Sequence, residues 1–78
     1  MTLNELDINK SCYIKSLRTE GEARRRMLDL GLVEGTKIQA AFRAPFGEPV
    51  AYFVRGTLIA LRREDTIKID VEREQENE

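Results

Sequence analysis

Apolar residues recur along this chain in two rhythms, and the switches between them lay out its elements. Residues 11–17, "SCYIKSL", alternate with Cys12 and Ile14 on one face and Tyr13 and Lys15 on the other, which predicts a strand. Upstream, Leu3, Leu6 and Ile8 are isolated apolar points in a polar leader, expected to cover one edge of the core. Residues 19–31, "TEGEARRRMLDLG", change to the helical rhythm. Ala23, Met27 and Leu30 fall at i, i+4 and i+7, and Leu28 widens that stripe. Thr19 stands where a helix cap is expected, with Glu20 and Glu22 near the positive N-terminal end. Gly31 directly follows the last apolar position, where a left-handed residue ends a helix.

The period of two then resumes. Residues 36–43, "TKIQAAFR", set Ile38, Ala40 and Phe42 on one face. Residues 44–49, "APFGEP", form a turn whose Pro45 and Pro49 keep either strand's ladder from extending. Residues 50–54, "VAYFV", are β-branched and aromatic and predict a strand. Arg55-Gly56 marks a tight turn into a further strand at residues 57–62. "REDT", residues 63–66, is a polar corner expected as a single 3₁₀ turn. Residues 67–71 form a last strand with Ile67, Ile69 and Val71 inward. The fold class is therefore mainly β, with about five short strands and one short helix between the first and second. Flat sheets of that size leave edges open, and closure removes them, so a small, partly open SH3-like barrel is expected, plugged by the helix at an end or side. Gly31, Gly35, Gly47 and Gly56 mark its structural turns. There is no internal repeat.

Composition narrows the function more than the fold. At 78 residues the chain makes one small domain, with a thin core and no room for a deep cleft. No apolar run approaches the ~20 residues of a membrane span, and the polar start "MTLNELDINK" is unlike a secretory signal. The net charge of −1 conceals an asymmetry. Residues 72–78 carry four glutamates and one arginine, so the remaining body holds two more basic than acidic residues. That segment is expected to be an acidic, disordered tail after a domain spanning residues 1–71. A weakly basic body is little for a duplex binder, which usually shows a clear basic stripe.

Catalytic chemistry has few carriers here. The chain has no histidine, which removes His-based acid–base and nucleophile pairs. Its one cysteine, Cys12, forms no internal disulfide and reads as a small buried hydrophobe. "GLVEGTK", residues 31–37, fails the phosphate-loop pattern in spacing and order, and it leaves a helix for a strand, the reverse of what phosphate cradling needs. No metal ligand set is expected: the softer donors reduce to Cys12, Met1 and Met27. There remain the three arginines, which fan through about 200° of helix and cannot all face one ligand. Arg24 and Arg25 point outward, with Arg25 in reach of Asp29 at i+4, while Arg26 lies beside the apolar stripe. An aromatic ring, Phe46, sits at the tip of the proline-rich loop beside Arg43.

Residues 24–72 taken together resemble the FeoA family of ferrous iron transport proteins. The resemblance rests on an arginine-rich helix and a Leu-Gly-Leu-x-x-Gly-Thr turn (Leu30, Gly31, Leu32, Gly35 and Thr36). An Arg-x-Pro-x-Gly-x-Pro loop follows (Arg43, Pro45, Gly47, Pro49), then a Leu-Arg-x-x-Asp corner (Leu61, Arg62, Asp65). Residues 6–17 fit the family's opening strand more loosely. The resemblance implies a cytoplasmic, non-enzymatic SH3-like barrel. It implies an accessory or regulatory role in bacterial ferrous iron uptake, through binding the cytosolic GTPase region of the ferrous iron membrane transporter. The expected docking surface combines the helix (Arg24, Arg25, Leu28) with the loop (Arg43, Pro45, Phe46, Glu48, Pro49). No cofactor is expected, although weak or transient Fe2+ binding stays open, as does weak self-association through exposed barrel edges. Nucleic acid and direct membrane insertion are not expected. Two alternatives remain: a metal-responsive module binding a transition metal ion, and a small RNA-binding barrel stacking bases on Tyr13 and Tyr52.

Overall fold

Alternation produces strands close to where the sequence places them. The computed structural model describes residues 1–74. In it β1 spans Ser11–Leu17, β2 Lys37–Arg43, β3 Val50–Val54, β4 Thr57–Leu61 and β5 Ile69–Arg73, with helix α1 at Gly21–Asp29 between β1 and β2. All pairings are antiparallel and the sheet order is β4-β3-β2-β1-β5. No pairing joins β4 to β5, so the ladder is open there. Bulges in β1 (between Ile14 and Ser16) and in β2 (between Ala40 and Phe42) bend the sheet. The curled inner face gathers one core from every strand, including Cys12, Ile14, Ile38, Tyr52, Val54, Leu61, Ile69 and Val71. Leu3 and Leu6 close it from the N-terminal segment, and Met27 and Leu32 from the helix side.

The helix end follows from its glycine. Gly31 has φ +94°, donates its N–H to Leu28 O at 3.0 Å, and lets Leu32 donate to Met27 O at 3.0 Å. These two bonds satisfy carbonyls that a helix end leaves orphaned, and they bring Leu32 and Met27, both fully buried, together under the turn.

Three expectations are corrected by tertiary context. Ala23 and Leu30 are exposed, and Met27 is the one buried residue of α1. The helix meets the barrel along a single ridge, and Leu32, beyond the turn, fills the place assigned to Leu30. Its N-cap is Glu20 rather than Thr19, whose hydroxyl is buried without a hydrogen-bond partner. Phe42 was expected inward beside Ala40. The β2 bulge adds a residue to the register, sets Phe42 opposite Ala51, and turns its ring to solvent.

The C-terminal strand is also displaced. "REDT" forms a four-residue α-helix, α2 (Arg63–Thr66), rather than a 3₁₀ turn, and Ile67 caps it, exposed, instead of opening β5. β5 therefore runs two residues further, pairing Glu72 with Tyr13 and Arg73 with Cys12, while Glu74 N–H donates to Ser11 O. Backbone pairing thus extends into the segment expected to be a disordered tail from residue 72. Residues 75–78 of that tail lie outside the described residues.

β5 is locked to β1 by polar contacts as well. Asp70 accepts from Ser16 Oγ at 2.8 Å and from Arg18 Nε at 2.9 Å, and Arg18 also donates to Ile67 O at 2.8 Å. Arg18 and Ser16 hold the Asp70 carboxyl below its ordinary value. A lowered folded-state pKa contributes stability that is present above the unfolded value and lost as pH falls through the folded one. Denaturation midpoints should therefore decline below about pH 4, near the ordinary aspartate value, and Asp70→Asn should flatten that decline. Met27→Ala should lower unfolding free energy by about 2–4 kcal/mol, against less than about 1 kcal/mol for exposed Leu30→Ala, both read by urea denaturation.

Candidate protein-docking surface

The β2–β3 hairpin carries the most exposed large hydrophobic residue among the described residues, Phe46. Arg43 pairs with Val50 at its base, Ala44 N–H donates to Pro49 O at 3.0 Å, and Gly47 N–H donates to Ala44 O at 2.8 Å. The loop is thus hydrogen-bonded internally, with Pro45 and Pro49 restricting it further. The Glu48–Pro49 peptide is cis. Phe46 stands at the tip with its side chain fully exposed. Burying that ring against a partner would remove substantial apolar surface from water, at little ordering cost for a loop already fixed.

Glu48 has a second task. Its Oε1 accepts the backbone N–H of Arg63, the first residue of α2. A carboxylate there satisfies an orphan donor and lies at the positive end of the helix. The hairpin is therefore tied to α2, and α2 is tied to α1 by Arg26 and Asp65 at 3.3 Å. Arg24 anchors the other side of α1 by donating to Leu17 O at 2.9 Å.

These contacts divide the expected surface by role. Arg25, Leu28, Arg43, Pro45 and Phe46 are exposed, and Pro49 is half-buried at the loop base. Arg24 and Glu48, also exposed, already have partners within the molecule. Among the described residues Arg25 makes no ion pair with Asp29. The helix and loop halves are linked through α2, which sequence reading had reduced to a corner. A groove between α1 and α2 runs past Ala23, Arg25, Arg26, Glu64 and Asp65. The Leu-Arg-x-x-Asp corner was the available signal, since its Asp65 is the residue that holds Arg26.

Of the residues considered for other chemistries, Cys12 and Tyr52 are buried, whereas Tyr13 is exposed. Cys12 is buried, and burial pushes its thiol up to about 11, so it stays protonated near neutrality and is a poor metal ligand. Among the described residues no group of three or more Cys, Asp or Glu is arranged to hold a metal ion. The N–H groups of Leu32, Val33, Gly35 and Thr36 are all spent on backbone carbonyls, so residues 31–37 have few donors left for phosphate. Tyr52 is buried, and burial raises its hydroxyl to about 12, so it cannot stack a base. Gly31, Gly35, Gly47 and Gly56 all have positive φ.

Comparison with known proteins agrees with this geometry. The FeoA domain model matches residues 1–73. The chain belongs to the FeoA family. A protein of Porphyromonas gingivalis, the Fe(2+) transport protein A/Fe(2+) transporter FeoB fusion protein, is 38% identical over 72 residues. That match takes in 92% of this chain but 8% of the fusion protein. The solution structure of FeoA from Chlorobium tepidum has a TM-score of 0.91 at 35% identity, covering 100% of this chain and 74% of that one. The crystal structure of Stenotrophomonas maltophilia FeoA complexed with zinc, described as an SH3 domain protein, has a TM-score of 0.82 at 30% identity, covering 92% of this chain and 89% of that one. The FeoA chain described here is accordingly an SH3-like fold of five antiparallel strands and a short helix.

Replacing Glu48 by Ala should cost about 1 kcal/mol of stability, the usual size of a lost helix-end contact, and should speed amide exchange across residues 44–49. Phe46→Ala should leave stability within about 0.5 kcal/mol. Thermal denaturation and hydrogen-exchange NMR read both.

Proposed function

We propose that this FeoA chain is an accessory, regulatory protein of bacterial ferrous iron uptake, acting at the cytoplasmic side by binding the cytosolic GTPase region of the ferrous iron transporter. The observation that supports this most is the Porphyromonas gingivalis fusion, where a 38% identical segment shares a polypeptide with a FeoB transporter. A covalent link holds two modules at high effective concentration, and it is tolerated where they work together. The geometry suits docking rather than chemistry: a rigid hairpin displaying Phe46, flanked by Arg43 and, across α2, by Arg25 and Leu28. Among the described residues no helix is long and apolar enough to cross a membrane.

A metal-responsive role is the second reading, favoured by zinc in the Stenotrophomonas maltophilia relative. Among the described residues, protonated Cys12 and the lack of any group of three or more Cys, Asp or Glu do not fit a resident metal. Calorimetric titration with Fe(II) separates the two, since a regulatory docking protein shows no heat with metal alone.

The direct test titrates the protein into the purified cytosolic GTPase region of its host's transporter, with and without a GTP analogue and Fe(II). Binding that depends on nucleotide state is expected, and Phe46→Ala should weaken it about tenfold, a loss of ~1.4 kcal/mol, without lowering the melting temperature. Absence of binding in every nucleotide state overturns the reading.

A further inference from the structure

The two edges of the sheet are treated differently. At the β5 edge the N-terminal segment covers the strand: Val71 N–H donates to Met1 O at 2.8 Å, and Thr2 bridges Asp70. The strand there also carries Asp70, Glu72 and Arg73. At the β4 edge no described segment does the same. "TLIAL" has no charge, no proline and no bulge in its pairing with β3. Proteins usually blunt an edge with one of those devices, because a flat apolar edge invites another strand.

The register shows which groups are free. The two-residue turn Arg55-Gly56 makes Val54 and Thr57 the closing hydrogen-bonded pair. Tyr52–Ile59 and Val50–Leu61 follow as hydrogen-bonded pairs. Leu58 and Ala60 lie between them, so their N–H and C=O groups point away from β3. No described loop or turn backbone bonds to them. On the outer face above that edge lies an apolar patch: Leu58 is 45% exposed, its cross-strand partner Phe53 45%, and Phe42 55%. Phe53 and Leu58, paired across the two strands, offer apolar surface that a partner would remove from water.

Charge selects the occupant. Arg55 stands in the turn before β4, with its side chain reaching toward Gly31, and Arg62 follows the strand; neither has an acidic partner among the described residues. A second copy added antiparallel and centred on Ile59 would bring Arg55 of each copy against the Arg62–Arg63 end of the other, like charge on like. We infer that the β4 edge receives, by strand addition, an extended segment of a partner protein with alternating apolar residues between acidic ends. Its backbone bonds to Leu58 and Ala60, its apolar side chains extend the Phe53–Leu58 patch, and its carboxylates meet Arg55 and Arg62. This surface is separate from the hairpin tip, so it would give a partner a second point of attachment.

The test uses the whole chain, isotope-labelled, and a capped nonapeptide of alternating valine and threonine with two glutamates at each end. On titration the amides of Leu58 and Ala60 should shift most and gain protection from hydrogen exchange. A peptide with lysine ends should bind at least tenfold more weakly, and the difference should shrink at high salt. Ala60→Pro removes an outward N–H that β3 does not use, and Leu58→Lys puts a charge on the exposed face. Both variants should keep the native spectrum and lose the peptide. Equal binding of the two peptides, or no shift at millimolar peptide, overturns the inference. So do concentration-dependent shifts at Leu58 and Ala60 without peptide, which would make a second copy the occupant.

Discussion

Pairing between β1 and β5 is the constraint on which the barrel depends. β2, β3 and β4 form a meander whose turns close locally, and such hairpins are inexpensive in chain entropy. β1 and β5 come from opposite ends of the sequence, and joining them closes a loop around nearly the whole chain. Buried Cys12, Ile14, Ile69 and Val71 offset that cost on the inner face. Arg18, Ser16 and Asp70 hold the outer face, and the N-terminal residues complete the far side of β5. With the ends joined, α1 has a floor on which Met27 and Leu32 can sit.

Legibility of the sequence followed the range of the interaction concerned. The strands at residues 11–17 and 50–54, all but the last residue of the strand expected at 57–62, the helix stop at Gly31 and the turn at Arg55-Gly56 are set by alternation or by backbone stereochemistry within a few residues. These were readable. Phe42 was misplaced because nothing in "TKIQAAFR" announces a bulge, and one extra residue inverts the phase of all that follows. Ala23 and Leu30 were misplaced because the width of a helix's buried stripe depends on what lies beneath it, and a small barrel offers a single ridge. β5 moved because α2 consumed Ile67, and the pairing of Glu72 and Arg73 comes from β1, at the other end of the chain. The candidate site suffered in the same way: Phe46 at a proline-rich tip was visible, while the Glu48–α2 and Arg26–Asp65 ties were not.

The arginines show why counting charge said little. Arg18, Arg24 and Arg26 are engaged in holding strands and helices together. Arg25, Arg55 and Arg62 make no such tie among the described residues, and they lie on α1, on the β3–β4 turn and beside α2. A run that looks like one basic block in the sequence is thus split between internal fastening and display. The buried ionisable groups, Cys12 and Tyr52, are held protonated near neutrality and take no part in either.

The β2 bulge bears on how members of such a lineage can differ in length. Residues gained or lost within the loop at 44–49 lengthen or shorten an arm that touches α2 at one carboxylate. Loss of Ala41 would instead remove the bulge, leaving Phe42 opposite Ala51 on the outer face but taking away the bend that the extra residue puts into the sheet. Variation in length should therefore accumulate at the hairpin tip, whereas the strand that carries it keeps its count of residues through descent.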